Sequence, residues 1–367
     1  MRIPSETESP HYLLLRQAAR LELDDESCNA INSICRENIN WDRLVTESES
    51  HGLSPLLYQH LRTSEAPAPA NTLSKLRVLY LRHRASNLIR TAAACEVDEL
   101  LEQHGIAVIY LKGMALCHLI YAEPGHRPMS DIDLLVSSRQ KEEVYNQLVL
   151  AGYQHQTSPG IREDHHHLPA LSKSLEGLSV SIEVHDNAIG PDNLGSIQMD
   201  NLTDKAVRFG LGDRSANSLG HVDMLRHLCR HTLEPLRVTK LGGVLDTVAY
   251  ADRFAEHIDW FRLTRSYPEV IAALQMFSYL IHWPENLGRY VAEPGMPCPP
   301  GVGIGMMPLS RIRHAGSRSR LLFDPSDWWL RAYYSVPMNR SVTYTKAITH
   351  PIQLGRWLWR RARFRNL

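Results

Sequence analysis

The chain has no apolar run long enough for a membrane. Its longest apolar stretch, near Val270–Ile281, is broken by Gln275 and Ser278 and falls far short of a bilayer. It has no excess of either charge. Lysine plus arginine and aspartate plus glutamate number 40 each, so the global field selects no polyanionic partner, and nucleic-acid binding would need a local basic patch. The six cysteines (Cys28, Cys35, Cys95, Cys117, Cys229 and Cys298) form no CxxC pair, which removes the paired redox and zinc-ribbon patterns. They predict reduced thiols in a cytoplasmic protein. MRIPSETESPHY, at the start, is polar and lacks a signal-peptide core. No internal repeat is present. Histidine, by contrast, is abundant at 19, so net charge rises as pH falls through about 6.5.

The segment Arg127-Pro128-Met129-Ser130-Asp131-Ile132-Asp133-Leu134-Leu135-Val136 carries the most information. Side chains alternate faces along a strand, so Asp131 and Asp133 point one way and Ile132, Leu134 and Val136 the other. Two like charges at that spacing need something positive between them. Divalent cations with a preference for hard oxygen ligands, Mg²⁺ or Mn²⁺, are the usual answer. A metal pair about 4 Å apart serves in-line phosphoryl or nucleotidyl transfer. Upstream, Ile106–Leu111 reads as a buried strand, Lys112-Gly113 as a turn and Met114–Tyr121 as a helix. Such a turn offers backbone N–H groups and a helix dipole to an anion. Gly113 would let a phosphate approach the backbone, Lys112 adds a point charge and Arg127 a bidentate one.

LKGMALCHLIYAEPGHRPMSDIDLLV resembles the active-site region of the DNA polymerase β-like nucleotidyltransferase superfamily. It is most similar to a bacterial branch of uncharacterised nucleotidyltransferases with LKG, then Y, then R-P-x-x-D-I-D-L-L-V. The resemblance implies an α+β fold, with a polymerase β-like core of a small mixed sheet and helices, flanked by helical regions. It implies a third carboxylate on a later strand, best placed at Glu183 in Ser179–His185. Val180, Ile182 and Val184 alternate there with Ser181, Glu183 and His185. The family's E-x-H at this point brings His185 with Glu183. Met114 follows Gly113 where many members carry serine or glycine, and the spacer to Asp131 is long, as is usual for this branch. The implied activity is metal-dependent transfer of NMP from an NTP to an acceptor hydroxyl. Asp131, Asp133 and Glu183 would bind Mg²⁺ or Mn²⁺, and Lys112, Gly113, Arg127 and His185 would contact the nucleotide. The acceptor is open: a small molecule, a sugar, a protein side chain or tRNA. A toxin-type tRNA nucleotidyltransferase would need a basic groove that the balanced charge disfavours. A nucleotide-binding regulatory or scaffold protein without catalysis is the other class.

Three regions are expected. Residues 1–70 read as short helices, Tyr12–Leu23, Glu26–Glu37, Trp41–Glu49 and Leu56–Leu61, closed by the Ala66–Ala70 linker. Residues 71–215 hold a long helix from Asn71 to about Gln103, with Gly105 beyond it, and the catalytic core, including a helix Lys141–Ala151. Residues 216–367 turn helical at Asp223–Thr232, Leu241–Ala255, Asp259–Ser266 and Glu269–His282, with a Pro/Gly-rich loop at 284–308.

Other clusters are weighed against plainer roles. Three adjacent histidines, His165, His166 and His167, cannot all face one ion on a regular strand, though one resembles a family element near the nucleotide. His227 and His231 share a helix face, but no HExxH-type carboxylate joins them, so core or capping roles fit better. The family resemblance sets His231 and Asp246 among residues that can line a cleft. Arg356–Arg365 is basic and aromatic. It reads as a terminal helix packing its tryptophans, with membrane or RNA contact as the sharper alternative.

Overall fold

A computed structural model describes residues 9–155, 168–189, 196–233, 240–293, 325, 327–334, 336 and 340–363. The expected residues His165, His166, His167 and Cys298, and loop positions 294–308, lie outside them. The chain divides into two units, Ser74–His227 and Met1–Leu73 together with Leu228–Leu367. Among the described residues no helix is long and apolar enough to cross a membrane.

The Ser74–His227 unit contains a seven-stranded mixed sheet. Its strands are β1 (Ile109–Tyr110), β2 (Asp131–Leu135), β3 (Gln154–His155), β4 (Leu171–Leu175), β5 (Leu178–His185), β6 (Val207–Leu211) and β7 (Arg214–Ser218), in the spatial order β3-β4-β5-β2-β1-β7-β6. The central strand β2 runs antiparallel to β1 and parallel to β5. Strands flanked on both sides and covered on both faces read as apolar runs, and Ile132, Leu134 and Leu135 are fully buried. The exception at this depth is Asp133, at 2% exposure. A buried carboxylate in a central strand calls for compensation, described below.

Helix α5 (Ala70–Gln103) has 34 residues, which matches the expected long helix. Its buried face carries Asn87, whose Nδ2 donates to the carbonyls of Pro124 and Arg127, both at 2.8 Å. Ala94 on the same helix accepts from the Tyr110 hydroxyl at 2.8 Å. Helix α6 (Lys112–Leu119) packs on β2 and β6, and α7 (Lys141–Leu150) on β5. The α6 start differs from the sequence reading by two residues. Lys112, rather than Gly113, makes the turn, with a φ of 40°.

The second unit is helical among its described residues. It holds α1 (Pro10–Ala18), α2 (Asp25–Ile34), α3 (Trp41–Ser50) and α4 (Ser54–Thr63) with α9 (Leu241–Arg253), α10 (Trp260–Ser266), α11 (Pro268–Phe277) and α12 (Glu285–Gly288). Helix α8 (His221–Thr232) precedes α9 and contains the boundary of the two units, and α13 (Asp327–Tyr334) and α14 (His350–Arg363) follow α12. Asp24, Asn40 and Asp259 cap α2, α3 and α10, accepting from Ser27, Arg43 and Arg262 N–H groups. Each cap contributes about 1 kcal/mol. Arg16 ties α1 to the end of α11 by donating to the carbonyls of Leu280 and Tyr279, both at 2.9 Å. On α14, Trp359 is 61% exposed rather than packed, and the Trp357 side chain lies outside the described set.

The join between α3 and α9 is close. Gly242 donates its N–H to the His51 carbonyl at 2.9 Å, and a Cβ on Gly242 would stand 2.7 Å from that oxygen. Only glycine allows this approach. The His51 ring accepts from the Leu241 N–H at 3.4 Å through Nδ1, so this nitrogen must stay unprotonated. Burial, with a smaller push from the Lys240 charge, lowers the ring to about 4. As pH falls below about 6.5 the unfolded chain takes up a proton that the folded chain refuses until about 4. Stability is therefore lost on acidification through that window, by about 2 kcal/mol at pH 5 from this residue. Thermal melts at pH 7.5 and 5.0 should show a smaller difference for His51→Gln than for the wild type. An unchanged difference would remove His51 as a source of acid sensitivity.

Candidate functional site

Strands β2 and β5 are parallel and in register, with Asp131 beside Ser181, Asp133 beside Glu183 and Leu135 beside His185. In-register neighbours share a face, so Asp131, Asp133, Glu183 and His185 converge. The His185 Nε2 lies 2.9 Å from Asp133 Oδ1 and 3.5 Å from Glu183 Oε2. From the start of α6, Lys112 Nζ donates to the same Asp133 Oδ1 at 3.0 Å. Ser130 donates its hydroxyl to Asp131 Oδ1 at 3.0 Å.

Lys112 and His185 thus answer the buried carboxylate. Burial opposes the charge on Asp133, but Lys112 and the His185 hydrogen bond outweigh it, and the group sits well below the usual carboxylate range. Asp131 goes the other way: burial and the neighbouring Asp133 charge raise it. Burial opposes the Lys112 ammonium, and Asp133 and Asp131 more than restore it. For His185, burial is outweighed by its hydrogen bonds to Asp133 and Glu183, which favour the imidazolium. The sequence reading looked to metal, with Arg127 as the alternative partner of the aspartates. The lysine and histidine supply part of the positive charge.

The donor set still suits a hard cation. One ligand atom each from Asp133, Glu183 and His185 all lie within 4.8 Å of one another. Asp131, two residues along the same strand face, adds a second oxygen-bearing group beside them. The carboxylate oxygens are donors of the kind Mg²⁺ or Mn²⁺ takes, and His185, whose hydrogen bonds favour the protonated ring, is placed to hold them and not to ligate.

The phosphate side is built differently from the sequence expectation. Lys112 holds a left-handed backbone, an unfavourable conformation for a residue with a Cβ, and its side chain is anchored by Asp133. Leu111, at the N-cap, gives α6 no side-chain cap, so the first N–H groups of the helix are not covered by that side chain. Gly113 is not left-handed. Its value lies in close approach, because a Cβ there would meet Arg127 Nη1 at 2.8 Å and Met129 Cγ at 2.9 Å. A phosphate arriving over Gly113 would meet the Arg127 guanidinium and not bare backbone.

Two neighbours are missed by sequence reasoning. His227 on α8 is read from sequence as a core or capping histidine. It is buried, with Nδ1 2.7 Å from the Ala188 carbonyl, and burial pushes it down to about 3. A carbonyl only accepts, so Nδ1 carries the proton and the ring is neutral. The charges of Lys112, Asp133 and His185 all reach it. Arg90 on α5 is the other: it is 7% exposed and interacts electrostatically with Asp131. The ring spacing of His227 offered only an i, i+4 pair, and Arg90 had no motif around it. His231 and Asp246 lie in the other unit, half-buried on α8 and buried on α9.

A family model described as uncharacterised nucleotidyltransferase matches residues 37–287, more than half of the chain. No curated protein matches the chain. No solved structure matches it.

Proposed function

Because the chain belongs to the uncharacterised nucleotidyltransferase family, we propose that it moves NMP from an NTP to an acceptor hydroxyl and releases pyrophosphate. The sheet is read as a polymerase β-like core. The observation that carries the reading is the register of β2 and β5, which sets Glu183 beside Asp133 on the Asp131 face. A divalent cation held by Asp131, Asp133 and Glu183 would supply positive charge to the α-phosphate and to the oxygens on either side of it.

The residues of the chain do the rest. Lys112 and Arg127 neutralise the β- and γ-phosphates, where negative charge grows as pyrophosphate leaves. Glu183 takes the proton of the acceptor hydroxyl as that oxygen bonds to the α-phosphorus and the bond to the leaving pyrophosphate breaks. His185 holds Asp133 and Glu183 in place through its ring nitrogen. His227, neutral and buried, lies within reach of these charges without adding to them.

The test is incubation with Mg²⁺ or Mn²⁺, each of four α-labelled NTPs and a cell extract. Label should move from one NTP to a defined acceptor with pyrophosphate release. The product then shows whether that acceptor is a small molecule, sugar, protein side chain or tRNA. NTP binding without transfer in any extract would sink the enzyme reading and favour a regulatory or scaffold role.

A further inference from the structure

Arg90 is an unusual residue for the middle of a long helix. It is 7% exposed, and its Nε and Nη1 are buried with no hydrogen-bond partner among the described residues. A buried guanidinium with idle N–H groups is costly, because the water it lost has not been replaced. Its surroundings place it. Asn87, one turn earlier on α5, donates to the carbonyls of Pro124 and Arg127. The Cys117 Sγ of α6 lies 3.7 and 3.9 Å from those same two oxygens. Arg90 interacts electrostatically with this Cys117 and with Asp131 at the head of β2. Arg90, one turn after Asn87, therefore shares the face of α5 that meets the turn before Asp131, and it lies within electrostatic reach of Asp131.

Asp131 does not satisfy it. The one hydrogen bond found at the Asp131 carboxylate comes from Ser130, and Arg90 stands near as charge without a bond. The idle Nε and Nη1 lie on different edges of the guanidinium, and a chain of phosphates offers separate oxygens to each. We propose that Arg90 binds the polyphosphate chain of the nucleotide, as a third cation beside Lys112 and Arg127. This rests on the nucleotidyltransferase reading for the identity of the anion, and on the buried unpartnered guanidinium for the site.

The test uses inorganic tripolyphosphate, which carries the phosphates without base or sugar. Calorimetry on the full chain should show binding to the wild type and roughly thirtyfold weaker binding to Arg90→Met, the loss of a charge-assisted pair of contacts. Arg90→Lys, which keeps the charge but not the two separated N–H donors, should fall between. Without ligand, Arg90→Met should melt no lower than the wild type, since a buried charge whose Nε and Nη1 make no hydrogen bond is removed while the stem is kept. A purely structural arginine would instead lower the melting temperature and leave tripolyphosphate affinity alone. Equal affinity in wild type and Arg90→Met, or no tripolyphosphate binding by the wild type, overturns the assignment. The transfer assay run on the same preparations separates the two readings. NMP transfer with tripolyphosphate affinity untouched by Arg90→Met removes Arg90 and leaves the enzyme. Arg90-dependent tripolyphosphate binding with no transfer leaves Arg90 and removes the enzyme.

Discussion

Asp133→Asn and Asp131→Asn should both stop turnover, yet move stability in opposite directions. Asp133 is at 2% exposure and accepts from Lys112 at 3.0 Å and His185 at 2.9 Å. An amide there leaves the buried Lys112 ammonium and the His185 ring facing a neutral group. Removing one partner of a buried ion pair costs about 3 kcal/mol or more. Asp131 is raised by burial and by the Asp133 charge, so its ionised form is already disfavoured in the fold. Neutralising it removes a penalty, and stability should hold or rise slightly. The check is thermal melting in the presence of a chelator, beside a pyrophosphate-release assay with metal. Turnover should drop at least about 10²-fold in both variants, as expected when charge stabilisation of the transition state is lost. Equal melting temperatures for the two variants would mean that Lys112 and His185 do not compensate Asp133. Near-normal turnover in either would falsify its place in the metal site.

The contrast shows which parts of the site can be read without coordinates. A period of two is a local signal, so the common face of Asp131 and Asp133 is legible in five residues, and that of Glu183 and His185 in seven. That these two strands are neighbours came from resemblance to a family pattern. The register that sets Glu183 beside Asp133 needed the sheet itself. The Lys112 bond to Asp133 spans 21 residues and depends on a left-handed backbone at a lysine, which no residue preference announces. Gly113 drew attention as the turn residue, whereas the structure uses it for close approach by Arg127 and Met129. Arg90 looks from sequence like its neighbours Arg77, Arg82 and Arg84 on the same helix. Burial distinguishes it, and burial depends on what packs against α5. The same limit applies to chain organisation. Residues 1–70 and 216–367 read as separate regions because the Arg16 bonds to Tyr279 and Leu280, more than 260 positions away, leave no local trace. Family membership, by contrast, is legible: the LKG and D-x-D stretch carries the resemblance, and the family model covers 37–287.

Glu183→Gln should leave NTP binding nearly intact and lower turnover by about 10² or more. The reason lies in how little of the phosphate side this residue touches. Lys112 and Arg127 stand at the head of α6 and over Gly113, and Asp131 and Asp133 remain on β2 to hold a cation. Of the two carboxylates that pair in register, Glu183 is the more accessible, with a quarter of its side chain exposed against 2% for Asp133. It is therefore the group an incoming hydroxyl can reach. Glutamine keeps the size and one acceptor oxygen but cannot take a proton, so positioned proton transfer is lost while the strand pairing survives. Stability should change little, because His185 keeps its shorter bond to Asp133. Titration calorimetry with the preferred NTP and steady-state rates of pyrophosphate release test both halves. A large loss of NTP affinity would make Glu183 part of nucleotide binding and not the base. Unchanged turnover with unchanged affinity would leave a two-aspartate site, with the proton acceptor to be found elsewhere.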